Sequence, residues 1–291
     1  MYDICCIGHI TLDRVMTHTS EKHMAGGTSF YFSKALRYMD IKYGLVTAVA
    51  ESELHFVEML MTDGTAVNVF PSAKTVYFEN IYSENLDQRT QRVLQEADPF
   101  TVAQLSDINA AIFHLGPLLA NDIPLSLIRD LSDRSKVSLD VQGYLREVRD
   151  HQVCAVDWPE KKEALRYVNI VKADEAELEV LVGCKGIQEG AMILAEWGVQ
   201  EVVITRASQG SVIYADGVFY DIPAFKPAVE ADATGCGDTY MAGYLFKRAK
   251  GADIQASGEF GAAMASLKME SSGPFNGKEE DILDMLSVNK H

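Results

Sequence analysis

Short, continuously apolar runs recur along the chain at Ile4 to Ile7, Leu45 to Val49, Ala110 to Phe113, Val137 to Leu139, Val168 to Val171 and Val202 to Ile204. Runs of this length without polar alternation predict strands buried on both faces. Between them, stretches of helical pattern occupy Phe30 to Met39, Leu54 to Met61, Pro124 to Leu131, Glu175 to Val182 and Ile187 to Trp197. Strand and helix in alternation predict a mostly parallel sheet covered by helices on both faces, an α/β fold. Two segments break the alternation. Residues 11–28 carry little helical pattern before Gly26-Gly27, and residues 73–94 read as two strands, Thr75 to Phe78 and Gln91 to Leu94, around a polar turn at Ser83 to Asn85. We expect both segments to build one small antiparallel β lid, 11–28 and 73–94, on a core made of residues 1–10, 29–72 and 95–291. A pair of edge hairpins without a role would give the same pattern.

Composition narrows the partners. The chain has 291 residues with 26 Lys and Arg against 42 Asp and Glu, a formal charge of −16. No basic face is available for nucleic acid, and a polyanionic ligand must be bound by local groups. A hydrophobic fraction of 47% with 23% charged residues supports a packed core rather than disorder. Five cysteines, an odd number without a C-x-x-C pair, predict a reduced intracellular protein. The start, Met1-Tyr2-Asp3, lacks a basic region followed by an apolar stretch, and no run reaches the ~18 apolar residues of a membrane span. We therefore expect a cytoplasmic protein without an anchor.

The densest chemistry lies in Asp232-Ala233-Thr234-Gly235-Cys236-Gly237-Asp238, which leads into a helix-patterned stretch from Thr239 to Lys250. Lys247, Arg248 and Lys250 complement the negative end of that helix, so the glycines sit at its N-terminus. Unpaired amides there form an anion site, and glycine lets a phosphate approach the backbone. A carboxylate beside such a site suits a base acting on an incoming hydroxyl. Taken singly, Thr234 or Asp238 reads more readily as a helix cap than as a base, and the glycines as a turn; together they are harder to reduce to a cap. No G-x-x-x-x-G-K-[ST] or first-strand G-x-G-x-x-G occurs, which excludes a P-loop and disfavours a nicotinamide-dependent dehydrogenase. The seven histidines show no paired ligand spacing, and Cys236 has no identifiable base.

Asp232 to Asp238 followed by Ala242-Gly243 resembles the D-T-x-G-A-G-D signature of the ribokinase-like carbohydrate kinases, the PfkB family. Other motifs of that family follow in order. Gly8 to Asp13 resembles its first-strand G-x-x-x-x-D, Gly26-Gly27 its G-G pair, Asp174 to Glu177 its N-x-x-E, and Thr205 to Gly210 its T-x-G-x-x-G nucleotide loop. The resemblance implies a three-layer α/β/α core with a small β-sheet lid and an ATP-dependent kinase acting on a sugar, polyol or nucleoside. It implies Asp238 as catalytic base, with the amides of Gly235, Cys236 and Gly237 as anion hole. Asp13, Gly26, Gly27 and Tyr31 would meet the acceptor, with Gln142 and Arg146 carried over from a loose D-x-N-x-R match. Thr205, Ala207, Gly210, Thr234, Gly235, Gly237 and Ala263 would line the nucleotide, and Asp174 and Glu177 would organise Mg2+ through water. Read from the residues themselves, Arg89 and Gln91 beside the aromatic lid strands suit a face closing on hydroxyls.

Three departures bear on activity. Tyr31 stands where many members have an asparagine, Asp174 replaces the N-x-x-E asparagine, and Ala207 replaces the middle glycine of the nucleotide loop. A sugar- or nucleotide-binding regulatory protein with weakened catalysis on the same fold is the competing expectation. Two lids packing edge to edge would make a homodimer.

Overall fold

The structure is a computed structural model that describes residues 1–16, 21–82 and 89–288. In chain order the strands are β1 (Tyr2–Ile7), β2 (Thr11–Met16), β3 (Glu21–Gly26), β4 (Tyr43–Val49), β5 (Ala66–Pro71), β6 (Val76–Tyr82), β7 (Arg89–Gln95), β8 (Ala110–Leu115), β9 (Lys136–Asp140), β10 (Arg146–Arg149), β11 (Gln152–Ala155), β12 (Ile170–Asp174), β13 (Glu201–Thr205), β14 (Ser211–Ala215) and β15 (Val218–Ile222). The helices are α1 (Thr28–Leu36), α2 (Leu54–Thr62), α3 (Val102–Leu105), α4 (Leu125–Ser132), α5 (Lys161–Ala164), α6 (Glu175–Val182), α7 (Ile187–Glu196), α8 (Cys236–Ala249), α9 (Ile254–Met269) and α10 (Glu279–Val288). Among the described residues no helix is long and apolar enough to cross a membrane.

The main sheet runs β15-β14-β13-β12-β9-β8-β1-β4-β5, parallel from β13 to β5 with β14 and β15 antiparallel at one edge. Its central strands are apolar on both faces because each face meets helices. In β1, Ile4 and Cys6 join the core shared with α1, α8 and α9, while Cys5 and Ile7 join the core shared with α4, α6 and α7. Three layers follow, as the alternation of strand and helix predicts. The strand read from Val168 begins instead at Ile170, after a turn in which the Val168 amide donates to the carbonyl of Leu165 at 3.2 Å.

The second sheet runs β10-β11-β7-β6-β2-β3. It differs from the expected lid in two respects. First, β2 and β6 pair in parallel, so the sheet is mixed rather than antiparallel. Each leaves the main sheet from the end of a parallel strand, β1 or β5, after a short connection, and the two therefore emerge in the same direction. Second, β10 and β11, expected in the core, join this sheet through Gln152 opposite Arg92. Their hairpin turns at Asp150 and His151, both at positive φ (49° and 64°), the geometry of a type I′ turn without its usual glycine. The turn at Ser83 to Asn85 lies outside the described residues.

Pairing register sorts this sheet into two faces. Asp13, Phe78, Asn80, Gln91 and Val93 share one, with Phe78 and Val93 packed on Leu118 and Leu119. Arg14, Glu79 and Arg92 share the other, opposite one another across three strands. Glu79 is buried and accepts from Arg14 Nη1 at 3.1 Å and Arg92 Nη1 at 3.0 Å. Removing the carboxylate leaves two guanidinium groups side by side, so Glu79→Ala is expected to lower unfolding free energy by about 1–3 kcal/mol. Glu79→Ala and wild type compared by urea denaturation check it; an unchanged midpoint would remove the ladder from the account.

Candidate active site

The carboxyl ends of the parallel strands set out one side of the site, the place where open α/β sheets present their ligands. Asp140 ends β9, Asp174 ends β12 and Thr205 ends β13, and the last two are register partners. Facing them is the N-terminus of α8, capped by Gly235 in the left-handed region (φ 76°). The Tyr31 ring lies against the Gly235 α-carbon in the space a β-carbon would need, so both conformation and packing demand glycine there. Tyr31 is thus a buried support of the turn, a use of this position that the acceptor reading did not include. Of the three amides assigned to the anion hole, that of Cys236 donates to the Ala233 carbonyl at 3.2 Å. The turn itself therefore engages one of the three amides expected to bind an anion. The Cys236 thiol donates to the Ala265 carbonyl at 3.6 Å, and burial pushes its pKa up to about 11, which removes it as a nucleophile.

The dominant charge in this space is one that the motifs gave no role. Lys172 is buried, with Nζ 3.0 Å from Asp140 Oδ2 and 3.5 Å from Glu177 Oε2. The position of a β-carbon on Gly237 would be 3.5 Å from the same Nζ, so the ammonium stands directly beside Gly237 at the start of α8. Burial alone would lower its pKa, but the carboxylates of Asp140, Glu177 and Asp238 together raise it, and it stays charged. Asp238 experiences the converse. Burial and then the Asp140 charge push its pKa up to about 6, against the pull of Lys172 and a hydrogen bond from the Thr28 hydroxyl. Thr28 opens α1 directly after Gly27, which caps that helix at φ 87°. Lys172, Asp140 and Thr28 are the functional groups that motif reading missed. Charged residues at or near the carboxyl ends of apolar parallel strands were the available signal for the first two.

On the facing sheet, Asp13 accepts from Thr11 Oγ1 at 2.6 Å and lies on the same face as Asn80 and Gln91, which are themselves joined at 3.1 Å. Gly26 pairs with Thr11 at the end of β3. Asp13, Gly26 and Gln91 therefore lie on one face of this sheet, and Gly27 joins it to α1, whose Thr28 bonds Asp238. The Arg89 side chain lies outside what the structure describes. Gln142 was assigned to the acceptor, yet its amide donates to Glu177 Oε1 at 3.2 Å, because the turn after β9 folds it onto α6. Arg146 opens β10 and is half-buried.

On the donor side, Ala207 occupies the left-handed region (φ 48°), a conformation that normally calls for glycine. Gly210 closes the same turn, and the Thr234 amide donates to Asp232 Oδ1 at 2.9 Å. Ala263 is wholly buried in the core beneath α8, so its side chain is not available to a nucleotide; α9 is apolar around most of its circumference. Asp174 and Glu177 form a reciprocal capping box at the start of α6, both bonds 2.8 Å. Among the described residues no group of three or more ligating side chains could chelate a metal. The donor set fits a magnesium ion that keeps its waters and is held mainly by phosphate oxygens, as Mg2+ prefers.

Residues 80–281 match the pfkB family of carbohydrate kinases. A cytidine kinase from Thermococcus kodakarensis is 26% identical over 289 residues, 95% of this chain and 99% of that one. A solved pyrophosphate-dependent kinase of the ribokinase family, in complex with a pyrophosphate analogue and myo-inositol, superposes with a TM-score of 0.85 at 27% identity, covering 97% of this chain and 99% of the other. Arabidopsis thaliana ribokinase with ribose and ATP shares the fold at a TM-score of 0.80 and 18% identity, over 98% of each chain. With more than half of its length matched and a ribokinase-like fold throughout, the chain belongs to the pfkB family of carbohydrate kinases.

Proposed function

We propose that the protein moves the γ-phosphoryl group of ATP to a hydroxyl of a sugar, polyol or nucleoside, with Asp238 as the base. The observation that carries this reading is the setting of Asp238: a buried carboxylate of raised proton affinity, beside a glycine-capped helix N-terminus and a fixed ammonium. Asp13 and Gly27 orient the acceptor, and Asp238 takes its proton as the bond to phosphorus forms. The Gly235 and Gly237 amides and Lys172 face the charge on the moving phosphoryl, and electrostatic positioning of this kind outweighs proton removal in loose phosphoryl transfer. Magnesium near Asp174 and Glu177 would neutralise donor oxygens. The intact cluster favours catalysis over the regulatory alternative.

Two observations refine the substrates. A cavity of about 320 Å³ is lined by Met24, Phe30, Phe56, Met59 and Pro274 among others. Met24 is the cross-strand partner of Asp13. Apolar walls next to a hydroxyl-binding carboxylate suit an acceptor with a flat apolar group, which favours a nucleoside and accords with the cytidine kinase relative. For the donor, pyrophosphate is the second reading. Ala207 puts a β-carbon where the family's nucleotide loop has a glycine, and pyrophosphate needs no nucleoside there.

Asp238→Asn is expected to fold and bind the donor but lose about 10²- to 10⁴-fold in kcat; turnover near wild type in a coupled assay would sink the assignment. A base must be ionised, so kcat/KM should be full above the Asp238 pKa and fall with unit slope as pH drops through about 6. An acid limb near 4 would place the base outside this cluster. Paired assays with ATP and pyrophosphate across ribose, myo-inositol and cytidine separate the readings, with ATP and cytidine expected to be the productive pair.

A further inference from the structure

Lys268 is among the largest fully buried side chains of the protein, at 0% exposure, and the proposed chemistry makes no use of it. A lysine is almost never buried so completely without a paired charge. Its ammonium meets Asp232 twice, 2.7 Å from the main-chain oxygen and 3.4 Å from Oδ2. Asp232 opens the turn that ends in the anion hole. Its Oδ1 accepts from the Thr234 amide at 2.9 Å, its Oδ2 accepts from the Gly273 amide at 3.4 Å, and its own amide donates to Met269 at 3.2 Å. The Ala231 amide donates to the same Met269 carbonyl at 2.9 Å. One residue therefore gathers the last turn of α9, the segment after it and the approach to α8. The group at its centre is a cation held by two oxygens of a single residue.

We propose that the Lys268 ammonium is the positioning group of the anion hole: by clamping Asp232 it fixes the turn through Thr234 and sets the direction of the Gly235 and Gly237 amides. Lys268 touches no reacting atom; it acts through Asp232. Without the ammonium, the Asp232 carbonyl and its partly exposed carboxylate are left facing the same space with no cation between them, and repulsion opens the turn. The space left behind is lined by oxygens and has the size of the lost ammonium end, so a small cation from solution can refill it and a bulky one cannot.

This inference rests on the reading of residues 235–237 as the site of the transferred phosphoryl, and the test separates the two. Lys268→Met is expected to lower kcat at least tenfold and to weaken inorganic pyrophosphate binding at least fivefold by calorimetry. The acceptor KM should stay within twofold, because the acceptor is held by the other sheet. Ammonium or methylamine should restore a measurable part of both losses, and tetramethylammonium at equal ionic strength should restore neither. Recovery of that kind would not arise from a general loss of packing. If Lys268→Met does not fold, Asp232→Asn, which keeps the main-chain bond and removes the carboxylate arm, should show a smaller loss of kcat and pyrophosphate binding with the acceptor KM again unchanged, and no rescue by ammonium because Lys268 still fills the space. Pyrophosphate binding and kcat within twofold of wild type in the folded variant, or losses in Lys268→Met that ammonium leaves untouched, overturn the clamp. Wild-type protein that transfers phosphoryl to no acceptor overturns the catalytic reading alone, since the binding measurements still decide the clamp.

Discussion

One buried ammonium surrounded by three carboxylates organises this molecule. Lys172 reaches from a central strand to Asp140 on its neighbour, to Glu177 on the following helix and toward Asp238 on α8. Leaving any of these charges buried without its partner costs about 3–5 kcal/mol, so the elements that bear them cannot separate cheaply. The sheet order that places β9 beside β12 is what brings Asp140 and Lys172 together. The capping box of α6 holds Glu177 in reach of both. With three negative charges to one positive, the cluster is a ready counterpart for a metal-bound phosphate rather than for a free anion.

The rest of the architecture secures the two walls around that cluster. Helix α1 carries Thr28 to Asp238 and Tyr31 to the Gly235 turn, and it follows directly on strand β3 of the second sheet. The face that carries Gly26 and the Thr28 partner of Asp238 therefore share one continuous stretch of chain. Opposite, α8 meets α9 closely, and α9 in turn holds Asp232 and Cys236. Neither wall depends on the protein's overall field, which at −16 repels a phosphate donor.

The core was legible because its strands are short, wholly apolar and separated by helical pattern, as at Ile4 to Ile7 and Glu175 to Val182. Asp238 and its glycines were legible because the chemistry and the helix start coincide in seven consecutive residues. Lys172 was not, since a lysine at the end of a strand reads as a solvent-facing terminus until the neighbouring strand supplies Asp140. Lys268 was hidden for a related reason, ending an apolar helix where a lysine complements the dipole and is ordinarily exposed. The β10–β11 hairpin escaped because Asp150-His151 lacks the glycine that marks such turns. Gln142 and Ala263 were drawn to ligands by motif position, whereas a neighbouring carboxylate and the core claim them.

With Asp238 as the proposed base, its raised proton affinity sets activity and stability against each other along the pH axis. A buried carboxylate whose folded pKa lies near 6 binds its proton more tightly in the folded than in the unfolded chain. Above that pH the fold bears the strain of its ionised form, and as pH falls from about 6 toward the ordinary carboxylate range that strain is progressively relieved. The same protonation would take the proposed base out of action, so in that role Asp238 would serve catalysis only in the protonation state that costs the fold more.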